Sequence, residues 1–154
     1  MRTDIPKRKN KRISNNNDNE KVILVIDSMP KEVKYNEPKC WEIYFAYLPP
    51  AGEGDHCLSG VHPFLIDSND VCNKTSTEIN GYAITSKKTK IPVQVAIYPD
   101  KDNGLYLKST ILIEQHRTIP KRYLISRMGI IKNEKLREKI RRAVMMQSGI
   151  LNAV

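Results

Sequence analysis

The sequence has no long hydrophobic run. None of its apolar stretches approaches the ~20 residues needed to span a bilayer, so no membrane-crossing helix is expected. The basic N-terminus leads into polar, Asn-rich sequence rather than the ~7–15-residue apolar segment of a secretory signal. A cytoplasmic protein is therefore expected. Cysteine is scarce. Cys40, Cys57 and Cys72 are odd in number and form no CxxC pair, which excludes a disulfide framework. His56, Cys57, His62 and Cys72 invite comparison with zinc-ligand sets, but their spacing fits no familiar pattern, and no metal or other cofactor is expected. Aromatic residues are few (one Trp, two Phe, seven Tyr), and they form no cluster of the kind that grips proline-rich peptides. No internal repeat is visible, which removes the repeat architectures.

What the chain does have is core-forming material and positive charge. Its 154 residues are 40% hydrophobic, room for one domain plus an appendage. The net charge of +9 is uneven. Residues 1–12 carry six bases against Asp4, and residues 117–142 carry ten bases against Glu134 and Glu138. Two basic blocks point to a polyanionic partner, either RNA or an acidic protein segment, although charged runs also serve simply as solvated faces.

Residues 1–38 read as a basic, Asn-rich N-terminal extension. Asn15-Asn16-Asn17-Asp18-Asn19 has nothing apolar to bury and is expected to be disordered. Lys21–Asp27 is a β-branched run that predicts an extra strand. From Trp41 onward, strand-like runs recur at Trp41–Leu48, Pro63–Asp67, Ile79–Thr85, Pro92–Tyr98 and Thr110–Glu114, separated by loops rich in Pro, Gly, Asn and Asp. That rhythm predicts a small, mainly β barrel or sandwich. Residues 134–151 predict a helix. Leu136, Ile140, Ala143, Val144, Gln147 and Leu151 share one face, Asn133 stands as N-cap, and Gly149 stands as terminator.

Three blocks then resemble the MazF/PemK family of toxin endoribonucleases. The first is Glu42-Ile43-Tyr44-Phe45-Ala46-Tyr47-Leu48-Pro49-Pro50. The second is Gly60-Val61-His62-Pro63-Phe64-Leu65-Ile66, followed by Asn69-Asp70 and, downstream, Ala83-Ile84-Thr85-Ser86. The third runs from Ser109 to Arg122, with Ile113-Glu114-Gln115-His116-Arg117-Thr118-Ile119 at its centre, and is the most specific. The resemblance covers residues 39–154 as one toxin domain. It implies an SH3-like, partly open β-barrel with a C-terminal α-helix, assembled as a homodimer. It also implies single-stranded RNA as substrate, and an acidic antitoxin, from a type II toxin–antitoxin system, that occupies the RNA groove.

The implied chemistry uses the RNA 2′-hydroxyl as an internal nucleophile, with no metal. It needs a base for that proton, a donor to steady charge on the phosphate, and an acid for the departing 5′-oxygen. The resemblance places catalysis at His62, Thr85 and Glu114, and RNA binding or loop ordering at His56, Ser86, Gln115 and Arg117. Two positions depart from the family pattern. The family usually has arginine where His62 stands, just before Pro63. A histidine there either takes over acid–base work or marks a degenerate toxin that binds RNA or antitoxin without cutting. Branches that carry a catalytic aspartate at the Glu114 position have arginine two residues earlier, where this chain has Leu112. The loop Ala51–Gly60 is also about two residues longer than the family's.

Overall fold

β-Branched and aromatic runs separated by turn residues pair most readily with their neighbours in sequence, and here they form one antiparallel sheet. In the computed structural model, residues 37–87 and 90–152 are described. The strands are β1 (Glu42–Leu48), β2 (Gly60–Ile66), β3 (Glu78–Thr85), β4 (Val95–Ile97), β5 (Ser109–Pro120) and β6 (Leu124–Ile130). They are ordered β4-β5-β3-β2-β1-β6 across the sheet, which curls into a half-barrel. A short helix, α1 (Asp70–Thr75), joins β2 to β3, a 3-10 turn (Lys121–Tyr123) joins β5 to β6, and α2 (Glu134–Gln147) closes the fold. This is the mainly β, partly open barrel with a terminal helix that the family resemblance implies, and it resolves the choice between barrel and sandwich that the strand rhythm left open. The expected disorder at 15–19 and the expected strand Lys21–Asp27 lie outside the described residues.

Both faces of the sheet are covered, which explains why β1 is buried along nearly its whole length. On one face Ile43, Leu65, Ile84, Ile97, Ile111 and Ile113 pack with Ile140 and Ala143 of α2. On the other, Tyr44, Ala46, Leu48, Phe64, Ile66, Ala83, Leu112, Ile119 and Leu124 pack together, with Leu58 and Tyr123 against them. Burying a side chain such as Ile140 contributes about 1.5–3 kcal/mol, which attaches a helix whose outer face is charged. Gly81 of β3 marks the tightest approach between strands. A Cβ there would lie 2.1 Å from the Leu65 carbonyl oxygen, so only glycine fits.

Several boundaries differ from the sequence expectation. β4 is only three residues long and β5 is twelve, against the expected Pro92–Tyr98 and Thr110–Glu114. β2 starts three residues before Pro63 and ends at Ile66, one short of Asp67. β6 and α1 have no counterpart in the sequence expectation. β6 is an edge strand with three consecutive exposed residues, and α1 buries only Asn73, so neither shows a clear hydrophobic period. The helix stops at Gln147 rather than 151. Asn133 Oδ1 accepts from the Leu136 N–H at 3.1 Å, as an N-cap should. Gly149, at φ +73°, turns the chain, with its N–H on Met146 O and that of Ile150 on Met145 O. That paired closure leaves Gln147 exposed and Leu151 beyond the helix.

The ladder between β3 and β5 is interrupted once. β5 pairs regularly with β3 from Glu78↔Pro120 to Tyr82↔His116, then resumes at Ile84↔Ile111. Five residue steps on β5 thus match two on β3, and Leu112–Gln115 bulge opposite Ala83. Ile111 and Ile113 face the helix side, yet Ile119 faces the other. The bulge therefore reverses which side odd-numbered residues present.

Candidate active site

His62 and Thr85 come from neighbouring strands. Extending the pairing Phe64↔Ala83 by two residues puts His62 directly across from Thr85. Both line a recess of about 400 Å³, shared with Asp55, His56, Cys57, Leu58 and Ser59 of the β1–β2 loop, Lys87, and Leu112 and Gln115 of the bulge. A second recess adjoins it, lined by His62, Thr85, Ser86, Lys87 and the segment Leu105–Leu107. The structure thus brings His56, His62, Thr85, Ser86 and Gln115 to one place.

The loop is held from below. Gln115 Oε1 accepts from the Leu58 N–H at 2.8 Å, and Arg117 Nη1 donates to the Pro49 carbonyl at 3.1 Å. The two side chains therefore fix the two ends of the loop that carries His56. They reach it because the bulge turns them to that side. His116, between them, points the other way, toward Asp67 (3.4 Å) and the ring of Tyr82.

His62 Nε2 lies 2.9 Å from the Ser59 carbonyl. A carbonyl only accepts, so Nε2 carries the proton and Nδ1 keeps a lone pair. Burial pushes the imidazole below its ordinary pKa; the Ser59 bond opposes that shift, and the nearby Lys87 charge adds to it. The ring is therefore neutral at pH 7, suited to accept a proton. Thr85 is buried, and its Oγ1 accepts from the Lys87 N–H at 3.2 Å. With that lone pair occupied, its own hydrogen is available to an oxygen in the recess.

Glu114 is not among the residues lining either recess. Its Oε1 accepts from Gln94 Nε2 at 2.6 Å, and Gln94 Oε1 accepts from the Ile91 N–H at 3.2 Å. Its Oε2 is buried without a hydrogen-bond partner among the described residues. The carboxylate thus joins β5 to the segment before β4 and stands apart from His62. Sequence pattern alone does not single out Lys87 or Leu58. The adjacent Thr85-Ser86-Lys87-Lys88 run is the available signal for the first. Leu58 is one apolar residue in a polar loop and gives none.

Four of the ten bases in the block 117–142 are engaged elsewhere. Arg127 pairs with the buried Glu42 at 2.7 Å, Lys132 with Asp102 at 2.8 Å, and Arg137 and Arg141 lie over the Trp41 ring beside Glu134 and Glu138. Among the described residues, no three His, Cys, Asp or Glu side chains are grouped to hold a metal, and no helix is long and apolar enough to cross a membrane.

Comparison with known proteins gives this site its context. The family described as PemK-like, MazF-like toxin of type II toxin-antitoxin system matches residues 39–147. Endoribonuclease EndoA of Bacillus subtilis is 32% identical over 113 residues, covering 72% of this chain and 94% of that protein. Among solved structures, MazF from Deinococcus radiodurans superposes with a TM-score of 0.62 at 17% identity, covering 75% of this chain and 99% of its own. An endoribonuclease from a mycobacterial species, solved with its cognate antitoxin, superposes with a TM-score of 0.58 at 23% identity, covering 74% and 97%. The structures establish the half-barrel fold, and the sequence match goes further: this chain belongs to the PemK-like, MazF-like toxins of type II toxin–antitoxin systems, a family of endoribonucleases.

Proposed function

We propose that this endoribonuclease toxin cleaves single-stranded RNA without a metal, through attack of the 2′-hydroxyl on the adjacent phosphate. The observation that carries the reading is His62 across from Thr85 in the lining of one recess, with Nδ1 unbonded among the described residues. His62 Nδ1 takes the 2′-hydroxyl proton. The 2′-oxygen bonds to phosphorus, and the bond to the 5′-oxygen breaks. Thr85 donates to a phosphate oxygen as its charge grows. His56, on the loop over the same recess, is the proton donor to the departing 5′-oxygen. The products are a 2′,3′-cyclic phosphate and a 5′-hydroxyl. Ser86 lines the adjoining recess where the next nucleotide would lie, while Gln115 and Arg117 hold the loop. Glu114 acts at a distance, through Gln94, on the turn at Ile91–Gln94.

The proposed unit is residues 39–154, with 1–38 as an N-terminal extension, acting in the cytoplasm on RNA. An acidic antitoxin is its proposed partner, which matches a relative solved with its cognate antitoxin and the cationic charge of this chain. A homodimer is also proposed. β4 and β6 leave two sheet edges, and Tyr106, Leu107 and Ile125 expose apolar surface that a two-fold partner could cover.

The test is a defined single-stranded RNA incubated with the purified protein and excess chelator. Cyclic-phosphate and 5′-hydroxyl ends are expected, and an all-deoxy strand of the same sequence should survive. Cleavage of the deoxy strand, or complete loss of cutting in chelator, would refute the mechanism.

A further inference from the structure

We propose that Lys87 is a catalytic residue in this chain, supplying the fixed positive charge that holds the scissile phosphate and steadies it during attack. The proposal rests on the reading of His62 and Thr85 above.

His62 and Thr85 together lack a positive charge. A dianionic phosphorane-like transition state needs a positive partner aimed at its non-bridging oxygens. A neutral imidazole cannot be that partner, and His62 is held neutral by burial. The titratable and charged groups around the two recesses are Asp55, His56, Cys57, His62, Lys87 and the Tyr106 phenol; the remaining lining is uncharged. Lys87 is thus the one Lys or Arg among the described residues lining either recess. Arg117 lies nearby in sequence to the bulge, but its guanidinium is bonded to Pro49.

Three further features suit Lys87 to the task. It lines both recesses, so the residue stands where they adjoin. Its backbone N–H is bonded to Thr85 Oγ1, which fixes its position relative to the hydroxyl it must assist. No described carboxylate pairs with its side chain, so its charge is available to a ligand. Its field also reaches His62, where it disfavours the imidazolium. One cation thereby does two things: it binds phosphate, and it keeps the neighbouring base unprotonated. The two jobs are divided between residues. Histidine exchanges the proton, which arginine cannot do near neutrality, and lysine holds the charge, which a neutral histidine cannot do.

Lys87→Ala and Lys87→Arg provide the test, in the full-length chain with melting temperature as the folding control. Lys87→Ala should lower kcat/KM on single-stranded RNA about a hundredfold, the scale of losing one aimed donor. Lys87→Arg should stay within about tenfold of wild type. The acidic limb of the pH–rate profile should move upward in Lys87→Ala, because the imidazolium is no longer disfavoured. A binding arm stands independent of cleavage. On an RNA with a single 2′-deoxy nucleotide at the cut site, Lys87→Ala should bind more weakly, and the slope of log affinity against log salt should shrink by about one charge. If wild type does not cut, the mechanistic reading fails, and the binding arm alone decides Lys87. An unchanged salt slope overturns the proposal. So does a Lys87→Ala enzyme within threefold of wild type, or a Lys87→Arg enzyme as slow as the alanine variant.

Discussion

At the scale of single residues, His62 decides most. If it is the base, His62→Ala should lower kcat by about a hundredfold or more. His62→Arg restores the family's usual residue and should still be slower than wild type, because a guanidinium does not give up its proton at neutral pH. A rise in activity with arginine would instead identify a degenerate toxin. The pH profile gives an independent reading. The imidazole is displaced below its usual value of about 6.5, chiefly by burial. The acidic limb of kcat/KM for the free enzyme should therefore fall below the position expected of an ordinary imidazole. Stability has the same sign. The unfolded chain binds the proton more readily, so this contribution is complete above 6.5 and is lost as pH falls through the folded value. The positions of His62 and Thr85 were legible in the sequence through the motifs around them, Gly60–Ile66 and Ala83–Ser86. The protonation pattern was not, because it depends on the Ser59 carbonyl, which a turn in the β1–β2 loop brings within 2.9 Å.

At the scale of elements, the β1–β2 loop and its two supports form a unit. Gln115 and Arg117 bond its backbone from β5, so each stabilises the loop without touching substrate. Gln115→Ala leaves the Leu58 N–H unpartnered and should raise KM on RNA several-fold, with proteolytic nicking between residues 50 and 58 becoming faster. The melting temperature should fall only slightly, since the sheet itself is unaffected. A loop with unchanged protease resistance would remove the supporting role. Strands with aromatic and β-branched residues, such as β1 and β3, were legible in advance, and so was α2 from its apolar stripe. β6 and α1 were not, for a physical reason. An edge strand such as β6 need not alternate, and α1 is shaped by hydrogen bonds at Asn69 and Asn73 rather than by apolar burial. The length of β5 was hidden by Gln115, His116 and Arg117, polar residues that look like a loop; Gln115 ends the bulge, and His116 and Arg117 pair with Tyr82 and Gly81.

At the scale of the whole molecule, net charge is a poor guide to where RNA lies. Four of the ten bases in 117–142 are already paired with Glu42, Asp102, Glu134 or Glu138 or laid over the Trp41 ring. RNA affinity should consequently depend on salt through few local cations rather than through the full +9. Assembly belongs to this scale as well. Light scattering at micromolar concentration should report twice the 17.7 kDa chain mass, and a monomer there would remove the dimer. The β5 bulge, finally, lets the strand change its count without changing which residues it shows. It places an odd count of extra residues between two stretches of one strand, and the pairing of His116 with Tyr82 beyond it sends Gln115 and Arg117 to one side and His116 to the other. A substitution within Leu112–Gln115 changes one side chain. Deleting one of Leu112, Ile113 or Glu114 would leave four steps on β5 against two on β3, and ordinary alternation over four steps would still send His116 to the helix side and keep Gln115 and Arg117 toward the loop.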